Sequence, residues 1–115
     1  MRALTGDVRV YLWRGAFDMR TGFDKLSLFV KEKLDRSPYD GIYVFVSRFR
    51  DRVKLLYWDR DGFAVWYKRL EAGAFRITLK EGQEELTGVD LELLLSGTDL
   101  ERILLQKSSE KGLFL

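Results

Sequence analysis

The residues with the clearest capacity for chemistry are positive charges that recur at every second position between residues 48 and 54. This stretch reads Arg-Phe-Arg-Asp-Arg-Val-Lys. Alternate side chains of a strand project to one side, so three arginines and a lysine can each meet a phosphate and position the protein on DNA without reading its sequence. The alternative is a hairpin tip whose cations keep the chain soluble and block edge-to-edge aggregation.

Three further cations extend this candidate site. Lys68 and Arg69 end a later β-type run, and Arg20 falls in the first turn of a predicted helix. The helix dipole favours an anion at that end of a helix. The candidate nucleic-acid-binding residues are therefore Arg48, Arg50, Arg52, Lys54, Lys68, Arg69 and Arg20.

Two other groups of residues could carry chemistry. Asp59 and Asp61, two positions apart, could hold Mg²⁺ in a small metal-dependent nuclease. Asp-x-Asp-Gly is also an ordinary turn sequence, and we favour the turn. Trp58 and Trp66 are expected on neighbouring strands. They could pack in the core, as aromatic residues usually do, or stack a flipped or single-stranded base.

The residue types that are missing exclude most catalytic chemistry. The chain has no cysteine and no histidine, so it cannot build a disulfide, a Ser-His-Asp or Cys-His arrangement, or a cysteine-ligated metal site. It also lacks a glycine-rich phosphate loop and zinc-binding spacing. We therefore predict a binding protein without enzymatic activity, cofactor or metal.

Length and composition indicate one globular domain. The chain has 115 residues, of which 46% are hydrophobic and 33% charged, and we expect a single domain over residues 1–115. No apolar run reaches the roughly 18 residues that span a bilayer, and the polar start does not resemble a signal peptide. These features predict a cytoplasmic protein with no membrane partner.

Charge is distributed unevenly along the chain. Residues 1–70 hold 15 Lys and Arg against 9 Asp and Glu, whereas residues 71–115 hold 5 against 9. Such asymmetry indicates one side that faces a polyanion and another side for a different partner, unless it is scatter among solvated residues.

Hydrophobic periodicity predicts the first half of the fold. Residues 8–12 alternate as a strand does. Asp18 is placed to cap a helix whose apolar positions continue to Leu34, and Ser37-Pro38 ends it. Three β-type runs follow, joined by two hairpins, and the second turn contains Asp61-Gly62, a dipeptide that supplies positive φ. These runs are residues 42–47, 52–58 and 63–68.

The second half is predicted to be mainly helical. After a short strand at residues 75–79, Thr87 caps a helix at 89–96, and Thr98 with Glu101 forms a capping box for a helix at 99–107. The expected fold class is α+β: an antiparallel sheet of four to five strands, a meander with two hairpins, packed against one long N-terminal helix, with short C-terminal helices.

Several motifs in order resemble a known family. They include Tyr11-Leu12 before Asp18-Met19-Arg20-Thr21-Gly22-Phe23, Pro38-Tyr39-Asp40-Gly41, Leu55-Leu56-Tyr57-Trp58-Asp59-Arg60-Asp61-Gly62-Phe63, Leu70-Glu71-Ala72-Gly73-Ala74-Phe75 and Leu94-Leu95-Ser96-Gly97-Thr98-Asp99. The chain is similar over residues 8–100 to TnpB, the accessory protein encoded by the second open reading frame of the insertion-sequence sixty-six class. Phe49-Arg50 and the extension at residues 101–115 depart from the family pattern.

The resemblance implies a bacterial protein that assists DNA transposition, while a separate, larger transposase cuts and joins DNA. It supplies no catalytic residue. The leading hypothesis is a non-catalytic accessory factor whose partners are the transposase and DNA, with a second copy of the chain as a further candidate. The basic residues would contact phosphates, and the acidic, leucine-rich second half would contact protein. The alternatives are a protein-only adaptor for the transposase and, third, the Mg²⁺-dependent nuclease.

Overall fold

The computed structural model describes residues 8–112 as a five-stranded mixed sheet with helices on both faces. The strands lie side by side in the order β4-β3-β2-β1-β5. The elements are β1 (Arg9–Ala16), α1 (Phe23–Glu32), β2 (Ile42–Val46), β3 (Arg52–Asp59), β4 (Gly62–Arg69), β5 (Gln83–Thr87), α2 (Gly88–Leu95) and α3 (Leu100–Gly112).

The expectation of an antiparallel sheet is wrong, because β1 and β2 are parallel. Val10 lies beside Ile42 and Leu12 beside Val44 in this parallel pair. Parallel neighbours need a crossover connection, which is usually a helix, and α1 provides it. The neighbouring pairs β2–β3, β3–β4 and β1–β5 are antiparallel, so the two predicted hairpins are present within a mixed sheet.

The predicted long N-terminal helix is also wrong. α1 has only 10 residues and begins after Gly22, without a side-chain cap. Asp18 instead accepts hydrogen bonds from the amide and guanidinium of Arg20, which holds residues 18–21 in a turn before the helix. The longest helix in the described part of the chain is α3, with 13 residues.

α1 covers one face of the sheet with an aromatic-rich cluster. Leu26 and Val30 of α1 pack against Tyr43, Phe45 and Leu56 from the sheet. β2 is buried at all five positions, as predicted for a central strand covered on both faces.

The opposite face is covered by α2, α3 and an irregular segment at residues 70–80. Phe75 and Ile77 of this segment are buried with Leu91 and Leu100 of the two helices. The strand predicted at residues 75–79 is wrong, because this segment has no ladder. The fifth strand is β5, which pairs with β1.

The two C-terminal helices start close to their predicted positions. Thr87 caps α2 as expected, in a capping box with Asp90. At the start of α3, the side chain of Asp99 rather than Thr98 accepts the free amide of Glu101. None of the helices in residues 8–112 has the length and apolarity that crossing a bilayer requires.

Candidate nucleic-acid interface

Strand register brings three of the predicted cations to one face of the sheet. Arg52 lies directly opposite Arg69, and Lys54 lies opposite Tyr67. Cross-strand partners share a face, and alternate residues of β3 share it as well. Leu56, two positions after Lys54, packs in the α1 cluster. These cations therefore lie on the α1 side of the sheet, on a surface that we call the open face. It consists of Arg52, Lys54, Trp58, Phe63, Val65, Tyr67 and Arg69.

The cations of the open face are only weakly neutralised. The Nε atom of Arg52 lies 3.7 Å from Asp51, and Nη2 of Arg69 lies 3.8 Å from Glu71. Exposed ion pairs at such distances contribute little. Two arginines directly opposite each other on a ladder also repel. Folding alone gives no reason for this pair, whereas an anion placed between the two side chains would satisfy both.

Lys54 is held in position by uncharged groups. Its ammonium donates to the carbonyl of Thr21 at 3.0 Å and lies 5.7 Å from the ring centroid of Tyr67. Neither contact cancels the positive charge. The ammonium therefore extends the positive potential of Arg52 and Arg69 toward the start of α1.

The β2–β3 turn presents Arg48 at its tip. The Ser47 hydroxyl accepts from the amide of Arg52 at 3.0 Å and donates to the Asp51 carboxylate at 3.1 Å. These bonds fix the turn, and Arg48 is exposed on it. No ion pair to Arg48 forms within the described chain.

Two predicted site residues lie apart from the open face. Arg50 has a left-handed backbone (φ 61°), its Nη1 donates to the carbonyl of Ile77 at 3.4 Å, and its own carbonyl accepts from Phe75 at 2.7 Å. Arg50 therefore ties the segment at residues 70–80 to the turn. Lys68 lies opposite Val53, which is buried with α2 and α3, so Lys68 projects to the other face.

Arg20 is already paired with a carboxylate. Its guanidinium donates to Asp18 through Nε at 3.1 Å and Nη2 at 2.8 Å. The hydrogen bond from this side chain is the main reason that the pKa of Asp18 is lowered to about 2, and the nearby charge of Arg52 contributes. The prediction that Arg20 stands in the first turn of a helix is wrong, because the residue precedes α1.

Four aromatic rings beside α1 continue the open face away from its cations. We call Phe23, Tyr39, Trp58 and Phe63 the aromatic shelf. Phe63 is central, with ring centroids 5.0 Å from Phe23, 4.9 Å from Tyr39 and 5.0 Å from Trp58. Trp58 is 39% exposed and Tyr39 is 58% exposed. Trp58 and Trp66 do not pair, because Trp66 lies opposite Leu55 on the other face.

The sequence alone identifies only part of the aromatic shelf. Trp58 was recognised as a stacking candidate, but Phe23 and Tyr39 come from other parts of the chain and meet it only in the folded protein. Alternation along β4 could have placed Phe63 and Tyr67 on the face of Trp58, since the two strands form a tight hairpin.

Asp59 and Asp61 form a turn, as favoured from the sequence. The amide of Asp61 donates to the carbonyl of Asp59 at 2.6 Å. The positive φ of this hairpin is at Arg60 (58°) and not at Gly62, so the expected role of the glycine is wrong. The described residues contain no group of three or more acidic side chains able to hold a metal ion.

Comparison with known proteins decides the family. The family model described as IS66 Orf2 like protein matches residues 8–104. The chain belongs to the IS66 Orf2-like family. Two relatives from Sinorhizobium fredii are similar to it: y4hO is 38% identical over 95 residues, covering 81% of this chain and 83% of the relative, and y4jC is 32% identical over 98 residues, covering 84% of each. No solved structure matches the chain.

Membership confirms the resemblance found in the motifs. An IS66 Orf2-like protein is an accessory protein associated with transposition of an insertion sequence. The match includes all of the open face, the aromatic shelf and the segment at residues 70–80, and it ends inside α3.

Proposed function

We propose that this IS66 Orf2-like protein is a non-catalytic accessory factor that assists the transposase of its element by contacting the DNA backbone with the open face. The observation that carries the proposal is the weakly neutralised pair of Arg52 and Arg69, directly opposite each other on the β3–β4 ladder. Like charges in this arrangement destabilise a sheet. A phosphate between them removes the repulsion and gains hydrogen bonds to both guanidinium groups.

We assign fewer cations to this contact than the sequence predicts. Arg52, Lys54 and Arg69 share the open face, and Arg48 stands on the adjacent turn. We assign Arg50 to the attachment of residues 70–80, because its carbonyl and guanidinium both bond to that segment. Lys68 is on the opposite face. Arg20 is 91% exposed but is already paired with Asp18. Lys68 and Arg20 are therefore secondary candidates.

A salt titration of duplex DNA binding tests the proposal. The logarithm of the association constant falls with the logarithm of salt concentration by about 0.9 per phosphate neutralised. Replacing both Arg52 and Arg69 with alanine is expected to reduce this slope by about 0.9, because the two side chains share one phosphate, and to weaken binding at low salt. The measurement is the anisotropy of a labelled duplex over a range of salt concentrations.

The matched control removes two exposed cations elsewhere. Arg76 and Lys80 are exposed on the segment that covers the other face, and their double alanine variant has the same net charge as the Arg52–Arg69 variant. It should retain most of the slope. Equal slopes for the wild type and the Arg52→Ala, Arg69→Ala variant would exclude the open face as the DNA contact.

The protein contact is proposed for α2 and α3. Val89 and Leu93 are exposed apolar residues on one face of α2, next to Asp90 and Glu92 in sequence, and Leu105 is exposed on α3. Scattered exposed apolar residues are common, but a cluster on one side can mark a protein interface. Its partner would be the transposase or a second copy of the chain.

The same observation favours the second candidate function, an adaptor that binds the transposase without touching DNA. Co-purification of the two proteins from nuclease-treated lysate distinguishes the candidates when it is combined with the salt titration. A complex that survives nuclease treatment, together with no measurable duplex binding, supports the adaptor. Measurable binding with the expected slope supports the DNA-contacting factor.

A further inference from the structure

We propose that the aromatic shelf stacks unpaired bases, so that the protein binds single-stranded DNA in preference to duplex. The inference rests on the proposed DNA contact and specifies the form of DNA that the open face accepts. It is carried by two observations: the exposure of the shelf and its position beside the cations of the open face.

The rings of the shelf are in contact with one another but remain accessible. Their centroids are 4.9 to 5.1 Å apart in the contacts of Tyr39, Trp58 and Phe63. Phe23 is 38% exposed, Trp58 39% and Tyr39 58%. An exposed cluster of this kind marks a binding surface.

The shelf and the cations of the open face lie on the same side of one strand. Lys54 and Trp58 are four residues apart on β3, a distance of about 13 Å at the usual rise per residue. Arg52 continues the row beyond Lys54. A single strand lying along β3 could place phosphates on these cations and bases on the rings.

A cation also lies beyond the other end of the shelf. Tyr39 borders an open cleft of about 700 Å³ that Arg36 and Tyr11 also line. The guanidinium carbon of Arg36 lies 3.7 Å from the ring centroid of Tyr11, an arrangement that holds the cation in place. Asp35 and Asp40 line the same cleft, so this side of the shelf carries mixed charge, and we assign the phosphate contacts to the cations on β3 and β4.

The combination of rings and cations distinguishes single strands from duplex. Bases in a duplex stack on one another, and their faces cannot reach an aromatic side chain, whereas unpaired bases can stack on proteins with little sequence preference. A purely electrostatic surface would bind duplex at least as well, because duplex has the higher charge density. The rings give the open face a reason to prefer the single strand.

The experiment compares a labelled oligothymidylate with a duplex of equal length, using the full chain. Loss of one stacking partner weakens single-strand binding by about tenfold. We therefore expect Trp58→Ala and, separately, Tyr39→Ala to weaken oligothymidylate binding by this factor and to leave duplex binding within about twofold. Tyr39→Ala keeps the test valid if Trp58→Ala folds poorly, because the Tyr39 side chain is the most exposed of the shelf.

Tryptophan fluorescence gives a second readout. Trp58 is more exposed than Trp13 and Trp66, which are half-buried. Oligothymidylate should quench the wild-type fluorescence, and Trp58→Phe should abolish most of that quenching while retaining affinity, since phenylalanine can still stack. Leu28→Ala on α1 is the matched control for loss of an exposed apolar side chain outside the shelf and should change neither measurement.

The outcomes separate this inference from the proposed function. Wild-type affinity for oligothymidylate in both alanine variants, or an equal loss for single strand and duplex, overturns the stacking shelf and leaves the backbone contact standing. Loss of transposase association at unchanged oligothymidylate affinity also overturns it, because the shelf would then be a protein interface. If Arg52→Ala with Arg69→Ala changes binding of neither DNA form, the proposed function itself fails.

Discussion

The two faces of the sheet differ in how their arginine side chains are paired. We call the face that packs against α2, α3 and residues 70–80 the covered face. On the covered face, Arg14 of β1 is only 1% exposed and bonds to Glu84 at 3.1 Å, to Glu101 and to the carbonyl of Thr78 at 2.8 Å. On the open face, Arg52 and Arg69 lie directly opposite each other, and their carboxylate partners are 3.7 Å and 3.8 Å away. A buried charge must be paired within the protein. An exposed charge with only weak ion pairs can bind a ligand.

Arg14 acts as a clamp between distant parts of the chain. It connects β1 with β5, with the segment at residues 70–80 and with the start of α3. Its Nε atom is buried without a hydrogen-bond partner, so the site is not fully satisfied. The covered face therefore contains a cation bonded to three other parts of the chain, whereas Arg52 and Arg69 on the open face make only long, exposed ion pairs.

The largest expected effect comes from Arg14→Ala. The substitution removes all three contacts and leaves a cavity, and breaking a buried ion pair costs about 3 to 5 kcal/mol. We expect the free energy of unfolding, measured by urea denaturation, to fall by about 3 kcal/mol, near the lower limit of that range, because Glu84 and Glu101 are 28% and 52% exposed and can regain water.

Arg14→Met provides the control for volume. Methionine fills most of the space but still leaves Glu84 and Glu101 without their cation, so this variant should lose less stability than Arg14→Ala and should remain below the wild type. If Arg14→Ala is as stable as the wild type, the buried cluster does not hold the covered face together.

The second prediction is that loss of arginines from the open face weakens DNA binding without lowering the free energy of unfolding. Arg52→Ala with Arg69→Ala should weaken duplex binding by about tenfold or more at low salt, yet should not lower the free energy of unfolding. Removal of the opposed like charges is expected to raise it by a few tenths of a kcal/mol. Urea denaturation without DNA measures this. A loss above about 1 kcal/mol would place these arginines among structural residues.

The third prediction concerns Asp90 in acid. Burial acts to raise the pKa of Asp90, but hydrogen bonds from the Thr87 amide and from Lys107, at 2.9 Å, outweigh it and hold the pKa below its ordinary value of 3.8. A carboxylate with a lowered pKa stabilises the fold above its unfolded pKa, and that contribution is lost as pH falls through the folded value.

Asp90→Asn should therefore reduce this acid dependence. Loss of a capping interaction costs about 1 kcal/mol, so the variant should be less stable than the wild type at neutral pH. The difference should shrink as pH falls below 3.8. Thermal unfolding followed across this range tests the sign. A difference that widens in acid would contradict the assignment.

The smallest predicted effect is at the β3–β4 turn. Arg60 holds a left-handed backbone with φ of 58°, which costs a residue with a Cβ about 1 kcal/mol. Arg60→Gly removes this strain but increases the entropy of the unfolded chain, so we expect a gain of about 0.5 kcal/mol. Thermal unfolding measures it, and Asp61→Gly, at a position without positive φ, should instead lose stability because glycine there only adds entropy to the unfolded chain.

The local parts of the fold were predictable, and the long-range parts were not. The β2–β3–β4 hairpins follow from alternation and short turns, and the cap of α2 from Thr87. β5 was missed because Gln83, Glu84 and Glu85 have low strand propensity, and only pairing with β1 makes them a strand. The parallel direction of β2 was accessible from the strand-helix-strand order.

Proximity along the chain predicted only some of the residues that the fold brings together in the candidate site. Alternation correctly grouped Arg52 with Lys54, but it also included Arg50, whose left-handed turn conformation removes it from the strand. The aromatic shelf joins residues from α1, the loop before β2 and the β3–β4 hairpin. No local pattern contains that information, because tertiary packing creates the surface.

The position of β1 between β2 and β5 has a consequence for synthesis of the protein. Arg9 pairs with Thr87 at the far end of the chain, so β1 has an unpaired edge until residues 83–87 have been translated. Unpaired strand edges recruit other chains and promote aggregation. Ribosomal products that stop before residue 83 should therefore be insoluble, even though they contain the whole open face.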